Sequence, residues 1–155
     1  MKFASYRYKP SDKPRFGFKR DKYIVDVVKC ANWLNEKKGD AIFLDIPSSL
    51  KECLKNWSIN FELLNKLDGI ITDEDIIEAS KIDKPIANLE SDLELLAPVP
   101  NPQSFRDFYA FEQHVRSARK LRGLEMHPDW FKIPIFYFSN SVALFGHREK
   151  INYPI

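Results

Sequence analysis

The chain is short of cysteine. Only Cys30 and Cys53 occur in 155 residues. They form no Cys-x-x-Cys pair, and two cysteines do not make a disulfide scaffold. They read as reduced thiols of a cytoplasmic protein. An excess of one charge is also missing: 24 basic residues face 22 acidic ones, a formal net charge of +2. That balance gives no electrostatic case for nucleic acid or an anionic membrane as main partner. Long apolar runs are absent, since stretches such as "PIFYF" are far too short to span a bilayer. The opening "MKFASYRYK" lacks the continuous apolar stretch of a signal peptide. No internal repeat or low-complexity tract appears.

What remains is the composition of a folded chain. Hydrophobic residues make up 44% and charged residues 30%, enough apolar matter for a packed core. The length suits one domain, or a domain with a small appendage.

The pattern along the chain is α+β. "KFASYRY" alternates as a half-buried strand does, "KPSDKP" is a turn, and "RFGFKR" and "YIVDVV" read as two further strands of a small meander. Helical spacing follows. "VKCANWLNEKKG" places Cys30, Trp33 and Leu34 together, with Gly39 as its stop. Ser49 stands three residues before Glu52, and Thr72 three before Asp75, both in capping-box spacing. Between them, Phe61, Leu64 and Leu67 form one stripe, with Gly69 as the expected end. These helices read as packing elements. In "LLAPVPNPQSF", Pro98, Pro100 and Pro102 forbid a regular helix and make a stiff connector. The boundary is therefore placed there, with residues 1–97 as an N-terminal α+β region and 98–155 as the start of a second domain.

Candidate chemistry lies past the prolines. "SFRDFYAFEQHVRSARKLRG" can be helical up to Gly123, with Ser104 or Asp107 as N-cap. In a continuous helix Asp107 and His114 are two turns apart and share a face. His114 then falls on a stripe with Phe111, Ala118 and Leu121, facing inward. The bland roles are a cap for Asp107 and a satisfied core histidine for His114. The sharper role is a buried imidazole with carboxylate company, able to act as a general base. Arg116, Arg119 and Lys120 fall roughly 140 to 240 degrees round from His114, which reads as a solvated outer face. Arg122 lies about 80 degrees from His114, within reach of a substrate carboxylate. "IPIFYFS" and "SVALFG" read as strands, and His127 and His147 as loop histidines without a role.

The stretch from "LLAPVPNPQSFRDFYAFEQH" through "LRG" to "PDWFKIPIFYFSN" resembles the fumarylacetoacetate hydrolase family. The resemblance is carried by an Asp-Phe-Tyr triplet, a His seven residues after the Asp, an Arg-Gly, a Trp and a Pro-x-x-Tyr, and covers about a third of the chain. It implies a metal-dependent hydrolase that acts on carbon–carbon bonds of diketo or oxo acids. It implies Mg²⁺ (or Ca²⁺ or Mn²⁺) with Asp107 as an acidic ligand, His114 as the base that activates water, and Tyr109, Arg122 and Tyr137 as substrate contacts. It also implies a β-rich catalytic domain beginning after residue 97, and a homodimer. The family's Glu-x-Glu metal pair has no counterpart after Tyr137, where Glu149 is the only acidic residue. The expectation is that this chain corresponds to the N-terminal half of such an enzyme, with the metal carboxylates in a missing C-terminal half. The alternative is a non-catalytic binding or oligomerisation module derived from that family.

Overall fold

The computed structural model describes residues 1–39 and 41–152. The chain forms two compact units. One joins Met1–Pro100 with the described residues from Phe145 onward, and the other is Asn101–Leu144.

The first unit is α+β. Strands β1 (Phe3–Arg7), β2 (Arg15–Arg20) and β3 (Tyr23–Asp26) form the expected antiparallel meander. Two short strands that the local pattern does not announce extend it: β4 (Ala87–Leu89) pairs with β3, and β5 (Glu94–Leu95) with β1. The sheet order is thus β4-β3-β2-β1-β5. Gly17 sits where a Cβ would come within 2.6 Å of the Val25 carbonyl oxygen and of Ile24 Cγ2. Only glycine lets β2 and β3 approach this closely.

Four helices follow. Helix α1 (Val27–Lys38) starts at Asp26, whose Oδ1 accepts from the Lys29 backbone N–H at 2.9 Å, and stops at Gly39 with φ 69. Its buried positions Val27, Cys30, Ala31 and Leu34 recur at helical spacing. Ser49 caps α2 (Leu50–Lys55) by accepting from the Glu52 N–H. Helix α3 (Trp57–Ile70) buries Leu64 and Leu67 but does not stop at Gly69. That glycine lacks the positive φ of Gly39, so the chain continues helically to Ile70. Thr72 and Asp75 form a reciprocal capping box on α4 (Asp73–Lys81).

These helices and strands share one core, including Phe16, Phe18, Val25, Leu34, Leu64 and Leu67. One buried polar group crosses it. The Asp26 carboxylate, 1% exposed, accepts from Tyr6 Oη and Arg15 Nε, both at 2.6 Å. Burial, and next the Asp26 charge, push the Tyr6 phenol far above its ordinary pKa, while Arg15 is raised chiefly by its bond to Asp26. The stretch "SVALFG" forms no strand. At its end a Cβ on Gly146 would fall 2.2 Å from the Leu95 carbonyl oxygen.

The second unit is built differently. Strands β6 (Phe105–Phe108) and β7 (Phe136–Ser139) pair antiparallel, and helix α5 (Glu112–Lys120) and a 3-10 turn (Pro128–Phe131) lie between them in sequence. The continuous helix expected from Ser104 or Asp107 is therefore corrected. Its first part is a strand, because Asp107 and its neighbours find ladder partners in "FYFS". Helix α5 starts after Phe111, which makes no side-chain cap.

Candidate functional site

The second unit carries all five residues to which the resemblance assigns a role, and it divides them among three places. Asp107 stands directly opposite Tyr137 in the β6–β7 ladder. Directly opposed residues project to one face of a sheet. The other face carries Arg106, whose guanidinium lies 3.5 Å from the centre of the Phe138 ring, and Phe108 against Phe136. Both Asp107 and Tyr137 are exposed, Tyr137 at 65%.

His114 does not share a helix face with Asp107, because the two lie in different elements. Nor is it buried. The stripe of Phe111 and Leu121 assigned to the interior is 79% and 90% exposed at those two positions. The buried residue of α5 is Val115, with Ala118 and Arg119 half-buried beside it. The helix is thus turned by about one residue from the reading that placed His114 inward. With β6 occupying the preceding segment, the apolar periodicity of 104–111 no longer belongs to the helix. His114 instead borders a shallow open recess with Glu112 and Ser117.

Tyr109 and Arg122 are brought together. They line a recess of about 210 Å³ whose wall also includes Arg119, His127 and Trp130, over an apolar floor of Val115, Ala118 and Ile135. Local structure explains the convergence. Helix α5 ends in a turn with Arg122 N–H on the Arg119 carbonyl (2.9 Å) and Gly123 at φ 70, and this turn sends the chain back along the helix. Arg119 Nε donates to the Glu125 carbonyl at 2.6 Å. Trp130 Nε1 donates to the Tyr109 carbonyl at 2.9 Å, while the Tyr109 N–H donates to the Ile135 carbonyl at 3.0 Å. His127 caps the 3-10 turn, its Nδ1 accepting from the Asp129 N–H at 3.3 Å.

Two sequence readings change here. Arg119 is not part of a purely solvated face: it is half-buried and on the cavity wall. His127 is a loop histidine, as expected, but it caps the 3-10 turn and stands on the cavity wall. The three-residue spacing of Arg119 and Arg122 ahead of Gly123 is the local signal that the two belong together. The return of His127 and Trp130 has no local signal.

Electrostatically the recess is cationic. Neither Arg119 nor Arg122 has a carboxylate partner among the described residues, in contrast to Arg116, which pairs with Glu112 on the outer face. The arrangement fits the oxygens of a small acid, through charge-assisted hydrogen bonds from the guanidinium groups and the Tyr109 hydroxyl. It does not fit a resident divalent cation. Among the described residues no group of three or more His, Cys, Asp or Glu side chains gathers to hold a metal, and Asp107 alone offers one carboxylate where Mg²⁺ or Ca²⁺ takes an oxygen-rich shell. No helix among the described residues is long and apolar enough to cross a membrane. No family model matches this chain, and no curated protein matches it.

Proposed function

We propose that this chain supplies the carboxylate-binding part of a fumarylacetoacetate hydrolase-type enzyme, a metal-dependent hydrolase of carbon–carbon bonds in diketo or oxo acids. The observation that carries the reading is the shared recess of Tyr109 and Arg122, two of the three substrate contacts that the resemblance assigns; Tyr137 lies outside it. Arg122 holds the acid's carboxylate, Tyr109 donates to its oxygens, and Trp130 and Ile135 cover its carbon chain. Mg²⁺ chemistry has no seat among the described residues, so on this reading the metal carboxylates lie outside them. The two buried, unpaired thiols suit a reducing cytoplasm.

The exposed position of His114 outside the recess favours the second reading, a binding module without turnover. Titration of the chain with 2-oxobutyrate, followed on the Trp130 indole N–H by NMR, tests the site itself. Arg122→Gln is expected to weaken binding about tenfold to a hundredfold, and unchanged binding would remove the assignment. An assay of the protein from its natural source on an acylpyruvate with Mg²⁺ separates the two readings. Turnover lost in His114→Ala supports the enzyme, whereas metal-independent binding without turnover supports the module.

A further inference from the structure

The geometry points to Arg119, with His127, as the anchor for a second anionic group, which makes the recess selective for dicarboxylates over monocarboxylates. This role rests on the reading above, in which Tyr109 and Arg122 hold the first carboxylate.

Three observations converge. Arg119 and Arg122 are three residues apart at the end of α5, line the same 210 Å³ recess, and have no carboxylate partner among the described residues. A monocarboxylate placed on Arg122 leaves the second guanidinium uncompensated in a partly closed, apolar-floored space. A second carboxylate removes that cost. Arg119 is also fixed in place. Its Nε is committed to the Glu125 carbonyl, so the remaining N–H groups of the planar fork are pre-oriented donors. His127 is the secondary member of the set: its Nδ1 faces the Asp129 N–H and, at 3.3 Å, the Asp129 carboxylate, so its Nε2 supplies a further donor while Arg119 supplies the positive charge. The size of the recess lies below that of pockets for drug-sized ligands, about 300–1,000 Å³, which restricts the ligand to a short aliphatic diacid.

The test compares succinate with butyrate, which differ in the second carboxylate, by calorimetric titration of the chain. Wild type is expected to bind succinate about tenfold or more tightly than butyrate. Arg119→Gln is expected to abolish that preference, weakening succinate binding about tenfold more than butyrate binding. Arg119→Lys, which keeps the charge but loses the fork, retains part of the preference, and amide NMR spectra confirm that both variants stay folded. Equal wild-type affinity for the two acids overturns the inference. So does a preference that survives Arg119→Gln, or an equal loss of both acids in that variant, which would mark Arg119 as purely structural. Those outcomes leave the first carboxylate site standing if Arg122→Gln still weakens both acids. If Arg122→Gln and Tyr109→Phe change neither affinity, the carboxylate site itself fails and the dicarboxylate role goes with it.

Discussion

The two units bury their apolar side chains to very different degrees. Met1–Pro100 buries its large apolar side chains in one cluster, with Phe18, Leu34, Leu64 and Leu67 at 1% exposure or less. In Asn101–Leu144 the buried hydrophobic residue among those described is Val115, while Phe111, Tyr137 and Phe138 stand well exposed. A two-stranded hairpin and one short helix cannot enclose a core of their own. The second unit therefore keeps its aromatic and cationic side chains at the surface, and this is where the recess of Tyr109 and Arg122 lies. The lesson is that the same aromatic-rich composition serves a core when five strands and four helices surround it, and an open surface when too few elements are present to cover it.

The largest expected effect tests whether the first unit depends on its buried polar centre. Asp26→Ala removes the acceptor of Tyr6 and Arg15 together with the α1 cap, and is expected to cost about 3–5 kcal/mol in chemical denaturation. A loss near zero would show that the centre is dispensable. A smaller effect separates the units. Val115→Ala should cost about 1–3 kcal/mol and broaden or shift the amide signals of Asn101–Leu144, with those of Met1–Pro100 unchanged. Equal perturbation of both sets would dissolve the distinction between the two units.

The smallest effect concerns acid stability. Burial alone would raise the Asp75 carboxyl, but bonds from Lys37, the Thr72 backbone and hydroxyl, and Trp33 together outweigh it and hold its pKa below the ordinary value. A carboxylate depressed in the folded state adds stability that is complete above the unfolded pKa, about 3.9. It is lost as the pH falls through the folded value. The acid limb of the stability curve should accordingly flatten in Asp75→Asn, and an identical limb would remove this contribution. Lys37 is raised by its bonds to Asp75 and then Glu78. Cys30, pushed up to about 12 mainly by burial, stays a thiol throughout this range.

The legible part of the fold is the local part. Strands β1 and β2, the Gly39 stop, the Ser49 cap and the Thr72–Asp75 capping box all follow from neighbouring residues, and the structure has them where the pattern puts them; β3 ends at Asp26, two residues short of the expected "YIVDVV", because Asp26 caps α1. Strands β4 and β5 were not legible, because they are three and two residues long and exist only through their distant partners. At the candidate site, Tyr109 and Arg122 line one recess that no local pattern announces, and the face that Asp107 and His114 share in a single helix is not formed. That face assumed one helix, and a helical stripe cannot report that half of its length will be taken by a strand partner some thirty residues on.

By itself the sequence determined an α+β chain of balanced charge, with its periodic apolar segments and caps, because each of those properties is settled within a few residues. The tertiary structure decided which of the polar residues meet. Ladder pairing with "FYFS" turned Asp107 toward Tyr137, and the reversal at Gly123, tied by Arg119 to Glu125, placed His127 and Trp130 beside the two arginines. Contacts of that kind depend on loop closure between distant segments, and their energy appears only once both sides are in place.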